Sequence, residues 1–171
     1  MTATKQEDPL VDFSNLLFNE DWKVVTDEVM GGCSNGSFKI LASKLGCFSG
    51  HISLKNNGGF STVKIAVSPT IINKGNGIKI LVLGDGNTYS FRISTSESNN
   101  YYQYKVEFVT EVDKWQSFKF DFNEFDAVHR GQPVPDAPPL KTQHIETVGF
   151  LIANKQMGEF CLYASQISVY T

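Results

Sequence analysis

Three cysteines and three histidines are the side chains in this sequence best suited to nucleophilic or metal chemistry. Cys33, Cys47 and Cys161 are odd in number, so they cannot close into a full set of bridges. None lies in a C-x-x-C pair or near a His at zinc-ligand spacing. His51, His129 and His144 are scattered along the chain. A Cys/His dyad could form only through folding, from His51, His129 or His144 with Cys33 or Cys161. The better reading makes Cys33 part of a Gly-rich turn and Cys161 a small apolar residue in a strand. No G-x-S-x-G elbow is present. Met30-Gly31-Gly32 and Asn57-Gly58-Gly59 match neither a P-loop nor a dinucleotide fingerprint. Asp121, Glu124 and Asp126 form an acidic cluster that reads as a solvated turn ahead of a loose calcium site. No cofactor, catalytic residue or metal ligand is assigned.

Arginine is scarce. Arg92 and Arg130 are the only two against thirteen lysines. The planar guanidinium suits paired contacts with carboxylates. Specific pairing and plain lineage bias explain the scarcity equally well. Trp22 and Trp115 are the only tryptophans and read as core anchors.

Those residues must be positioned by strands. Tyr102, Tyr104, Val106 and Phe108 alternate with Gln103, Lys105 and Glu107, and Tyr89, Phe91 and Ile93 alternate with Ser90, Arg92 and Ser94. Similar segments fall near 37–41, 46–54, 60–67, 77–83, 114–122, 147–153 and 159–169. Gly84-Asp85-Gly86-Asn87 and Asn56-Asn57-Gly58-Gly59 read as hairpin turns. Helix is confined to a short candidate at 9–18 and a single turn at 123–127. About ten strands without a βαβ rhythm predict an all-β fold of two packed antiparallel sheets. The longest irregular stretch, Gly131 to His144, holds four of the six prolines. A loop of that length is more often functional or mobile than merely connecting.

A chain of 171 residues can bury about 70% of its unfolded surface, so one domain over 1–171 needs no staple. Residues 1–9 are expected to form a loosely ordered tail. The net charge of −3 argues against a nucleic-acid partner. No stretch approaches the roughly 18 apolar residues of a membrane span, so no membrane insertion is expected. The first residues lack secretory and presequence features. A cytoplasmic location is expected, or the mitochondrial matrix if a leader precedes the sequence.

The segment Trp22-Lys23-Val24-Val25-Thr26-Asp27-Glu28-Val29-Met30-Gly31-Gly32-Cys33-Ser34 resembles the opening motif of the complex I intermediate-associated protein 30 family. The resemblance continues through Phe48-Ser49-Gly50 and Ser53-Leu54-Lys55-Asn56-Asn57-Gly58-Gly59-Phe60. Further blocks are Gly84-Asp85-Gly86-Asn87-Thr88-Tyr89, Trp115, Phe125, Arg130-Gly131 and Lys155-Gln156-Met157-Gly158-Glu159-Phe160. In order, they span about residues 10–170. The resemblance implies a jelly-roll β-sandwich like galactose-binding and carbohydrate-binding modules, and it implies assembly-factor relatives. Cys33 and Lys64 depart from the aliphatic residue and the arginine expected at those places.

Asp27, Ser34 and Asn56 are short polar side chains suited to pinning turns, and Asp85 could pair with Arg92 or Arg130. Two readings stand for this set. It is scaffolding at one end of the sandwich, or it lines a concave polar site with Tyr89, Gln103 and Gln156. Turn residues usually serve turns, which favours scaffold. The function expected is a non-catalytic protein-binding module, an assembly factor or chaperone for a respiratory or other multisubunit complex. The alternative is a sandwich that binds a carbohydrate or small ligand.

Overall fold

The computed structural model describes residues 7–11, 13, 21–73, 75–98 and 101–171. It is an all-β sandwich of two antiparallel sheets. The six-stranded sheet contains β3 (Asn35–Ile40), β4 (Gly46–Ile52), β13 (Gly158–Tyr170), β6 (Gly77–Leu83) and β9 (Trp115–Asp121), in that order. Its sixth strand, β1 (Glu7–Val11), pairs with the C-terminal half of β13, beyond the stretch held by β4. The seven-stranded sheet runs β11 (Gln132–Pro133), β10 (Asp126–His129), β8 (Gln103–Val109), β7 (Thr88–Thr95), β12 (Ile145–Ile152), β5 (Ser61–Ala66) and β2 (Lys23–Thr26).

The period-2 alternation decides which residues meet between the sheets. Phe91 of β7 packs edge-on against Phe150 of β12 at 5.6 Å between ring centroids. Across the sandwich, Phe108 of β8 meets Phe120 of β9 at 6.0 Å. A second aromatic group, with Trp22 stacked on Phe38 at 4.1 Å, plugs the β2–β3 side. Trp22 is the expected core anchor. Trp115 is not: it opens β9 and stays 43% exposed.

Residues 7–9, expected in a tail, are paired through Glu7 and Tyr170, Asp8 and Val169, and Pro9 and Ser168. Of the helix expected at 9–18, residues 9–11 lie in β1, and 12 and 14–18 lie outside the described residues. Asp121 caps a 3-10 turn at Phe122–Glu124, and its backbone N–H donates to Glu124 Oε2 at 2.6 Å. That places two of the three clustered carboxylates in a capping box. The proline-rich loop is tied down, since Tyr104 Oη donates to the Pro138 carbonyl at 2.6 Å. Among the described residues, no helix is long and apolar enough to cross a membrane.

Both expected hairpin turns are something else. Residues 84–87 carry the chain from β6 in one sheet to β7 in the other, and 53–60 carry it from β4 to β5. Gly and Asn supply the positive φ that a sharp turn needs, but that freedom does not select which strand is paired next. The connections β2–β3, β8–β9 and β12–β13 also change sheets. The strand registers bring these five of the sheet-changing connections to the same end. In one sheet Thr26, Ser61, Ile152, Tyr89 and Phe108 share a row. In the other, Asn35, His51 and Glu159 share a row, and Leu83 faces Trp115.

Candidate functional site

Most of the expected site residues hold these crossings together. Asp27 is fully buried. Its Oδ1 accepts from the Ser34 amide at 2.8 Å, and its Oδ2 accepts from the Gly59 amide at 2.5 Å and the Phe60 amide at 3.3 Å. Burial alone would raise its pKa. The hydrogen bonds from Ser34, Gly59 and Phe60 overcome that and hold the carboxyl below its ordinary value. The glycines beside it are sterically required. A Cβ on Gly32 would sit 2.4 Å from Asp27 Oδ1, and one on Gly58 would sit 2.5 Å from Oδ2. The Gly pairs of both motifs therefore leave room for one carboxylate. Ser34 Oγ accepts from the Ser53 amide at 2.9 Å, and Asn56 Nδ2 donates to the Gly31 carbonyl at 3.1 Å.

Asp85 does the same for the third crossing. Its carboxylate accepts from the Asn87 amide at 3.1 Å, the Cys161 amide at 2.8 Å and Tyr89 Oη at 3.0 Å. The expected pairing with Arg92 or Arg130 does not form. Tyr89 is a core residue, 1% exposed, and burial followed by the Asp85 charge pushes its phenol upward. Gln156 spans two strands. Its Oε1 accepts from the Thr88 amide at 2.7 Å, and its Nε2 donates to the Thr88 and Ala153 carbonyls at 2.8 and 2.7 Å. Asp27, Ser34, Asn56, Asp85, Tyr89 and Gln156 are thus joints in a frame.

Arg92, Gln103 and Arg130 are different. They line a cleft of about 510 Å³ over the outer face of the seven-stranded sheet. One register row across that face reads Lys23, Lys64, Gly149, Arg92, Lys105 and Asp126. Gly149 is required in that row, since a Cβ there would sit 1.9 Å from the Val63 carbonyl oxygen of β5. Arg92 is half-buried, and its Nε donates to Ser90 Oγ at 2.9 Å. Burial lowers the guanidinium to about 10, and the charge of Glu107 opposes that fall. It stays cationic at neutral pH. Lys105 Nζ pairs with Glu107 Oε1 at 2.9 Å, which heads the causes that lower the Glu107 carboxyl.

The rim comes from the crossings and from one hairpin. Asn57 to Phe60 stand on one side, Asn154 and Lys155 close another, and Arg130 with Gly131 reach in from the β10–β11 turn. That turn has two residues, Arg130 at φ 48° and Gly131 at φ 79°, the double positive φ that matches strand twist. Lys105, Glu107 and Lys155 were missed as site residues. The outward positions of the alternation hold the first two, but alternation does not say which outer face is hollow. Among the described residues, no His hydrogen-bonds a Ser or a Cys. His129 instead stacks on Tyr101 at 4.2 Å, and His144 Nε2 pairs with Glu97 at 3.1 Å.

Fold and cleft together define the class: a two-sheet jelly-roll β-sandwich with the architecture of carbohydrate-binding modules and an open face between its crossing loops. A family 11 module from Clostridium thermocellum, solved with a β-1,3-1,4-mixed-linked tetrasaccharide, superposes with a TM-score of 0.74 at 19% identity. The match covers 98% of this chain and 96% of that one. An agarase structure matches at TM-score 0.61 and 12% identity, over 95% of this chain and 24% of the enzyme. No curated protein sequence matches significantly. Residues 11–163 match the family described as complex I intermediate-associated protein 30, and the chain belongs to that family.

Proposed function

We propose that this chain is a non-catalytic protein-binding module, an assembly factor that holds an acidic segment of its partner in the cleft. The observation that carries this is the lining: Arg92, Lys105, Arg130 and Lys155 against Glu107 alone, in a chain whose net charge is −3. Such a focus of positive charge on an acidic protein steers and orients carboxylates. The half-buried Arg92 fork offers paired donors to them. The family's name supports a partner among complex I intermediates. Exposed Val29 and Met30 on the β2–β3 crossing and Met157 on the β12–β13 crossing lie at the same end and add apolar contact area beside the charged floor. The test is a crosslinking pull-down from native cells with wild type and with Lys155→Glu. Recovery of a defined multisubunit complex, weakened by the charge reversal, is the expected result. A protein that comes down alone after crosslinking would remove the basis of this reading.

A second reading follows from where the cleft lies in a fold shared with a tetrasaccharide-bound module. Thr62, Ser90, Gln103 and Asn154 could hydrogen-bond sugar hydroxyls. The rings in the lining are Phe60 and Tyr89, and Tyr89 is turned into the core, so stacking surface is scant. Saturable calorimetric binding of a β-1,3-1,4-linked tetrasaccharide would favour this reading over the first.

A further inference from the structure

The outer face of the six-stranded sheet carries a second kind of chemistry. Cys47 on β4 and Cys161 on β13 are 114 positions apart in sequence, yet their Sγ atoms lie 3.8 Å apart. Both thiols are free and half-buried. In register, Cys47 stands between Lys39 of β3 and Tyr163 of β13, and Cys161 stands opposite Ser49. Phe48, Phe160 and Leu162, the residues that alternate with them, point into the core. The two sulfurs therefore share an accessible, polar surface.

We propose that Cys47 and Cys161 form a redox-active dithiol, which low-molecular-weight disulfides of the glutathione class convert to a cross-strand disulfide. The Cys47 thiolate attacks one sulfur of the small disulfide. A Cys47 mixed disulfide forms, and the departing thiolate takes up the proton that Cys47 gave to solvent. Cys161 then gives up its proton and attacks Cys47 Sγ, releasing the second small thiol. Two protein thiols are oxidised by two electrons, one small disulfide is reduced to two thiols, and two protons pass between them.

The neighbours assign the order of attack. The Cys161 thiol's hydrogen bond, ahead of opposing burial and with help from Ser49 and Lys39, lowers Cys47 to about 6. The same contact, with burial, raises Cys161. Lys39 stands beside Cys47 in the register, whereas the Asp85 carboxylate holds the Cys161 amide, so the thiolate is favoured at Cys47, the attacking group, and Cys161 is the resolving thiol. The Cys161 amide is fixed by Asp85 at 2.8 Å. Cys47 lies diagonal to Cys161 in the register, so closure to a bond of about 2 Å draws β4 toward this fixed point of β13 as well as turning the two side chains. The product ties β4 to the central strand β13.

The experiment uses the full chain carrying Cys33→Ser, because Cys33 is exposed and would form its own adducts. The protein is incubated with oxidised glutathione and followed by intact mass and peptide mapping. The expected result is loss of two hydrogens, a linked Cys47–Cys161 peptide, an upward shift of Tm and reversal by dithiothreitol. Adding Cys161→Ser should halt the reaction at a persistent glutathione adduct on Cys47. Stable adducts without a crosslink while Cys161 is present, or two unreacted thiols, would overturn the proposal.

Discussion

The carboxylate of Asp27 and the amide of Gly59, 32 residues apart, meet at 2.5 Å and join the β2–β3 crossing to the β4–β5 crossing. The two most glycine-rich motifs of the sequence converge on that contact. Asp27→Asn should destabilise the fold by about 3 kcal/mol, because the amide cannot accept from Ser34, Gly59 and Phe60 together and leaves a buried donor unmatched. The pH sign follows from the direction of the shift. The native pKa lies below the unfolded one, so the stabilisation is complete above the unfolded value of about 4. It is lost as pH falls through the native value. Denaturant titrations from pH 6 to pH 2 should show less acid destabilisation in the Asn variant than in wild type.

Asp85→Ala should lower stability by about 2 kcal/mol, through loss of the bonds to Asn87, Cys161 and Tyr89. Partner binding at the cleft should survive. Tyr89→Phe, which removes one donor and leaves Asp85 its two backbone amides, should cost about 1 kcal/mol. Thermal melts paired with pull-downs separate these effects. An Asp85→Ala protein with an unchanged melt and lost binding would place Asp85 in the site and not in the frame.

Alternation in Tyr102–Phe108 and Tyr89–Ser94 was enough to place β7 and β8 and to divide their inner from their outer residues. Pairing was less legible. Gly84–Asn87 and Asn56–Gly59 have hairpin composition because any sharp turn needs those φ values. Only the packed sandwich shows that the chain there leaves one sheet for the other. Weak signals hid β2, β10 and β11, which are edge or near-edge strands of two to four residues. Trp115 misled because burial follows from a strand's place in the sheet as much as from residue type. Asp27, Ser34, Asn56, Asp85 and Gln156 could be found from their motifs but not assigned a task. Their task depends on backbone groups 19 to 76 positions away. The nearness of Cys47 and Cys161 was invisible for the same reason.

Arg92→Gln should weaken capture of the partner by about tenfold or more, as expected for loss of a charge-assisted paired contact. Its stability should fall by less than about 1 kcal/mol, since the bond to Ser90 is the contact it forfeits within the fold. Binding by wild type should decline with ionic strength, and the slope should be shallower in the variant. A glycan-binding cleft would show little salt dependence. Titrations of captured complex at low and at high salt therefore test the residue and the ligand class together.

Arg130 sits at φ 48° beside Gly131 in a two-residue turn, a conformation in which a side chain costs roughly 1 kcal/mol relative to glycine. Arg130 lines the cleft, so backbone strain is retained at a residue that brings positive charge to it. Arg130→Gly should therefore raise the melting temperature by about 2–4 °C for a domain of this size and weaken partner capture in the same preparation. Arg130→Lys keeps both the charge and the strained φ. It should melt like wild type and bind nearly as well, losing only what the planar fork adds. A glycine variant that is less stable than wild type would show that Arg130 holds the hairpin in place, and its role in the cleft would then need a different account.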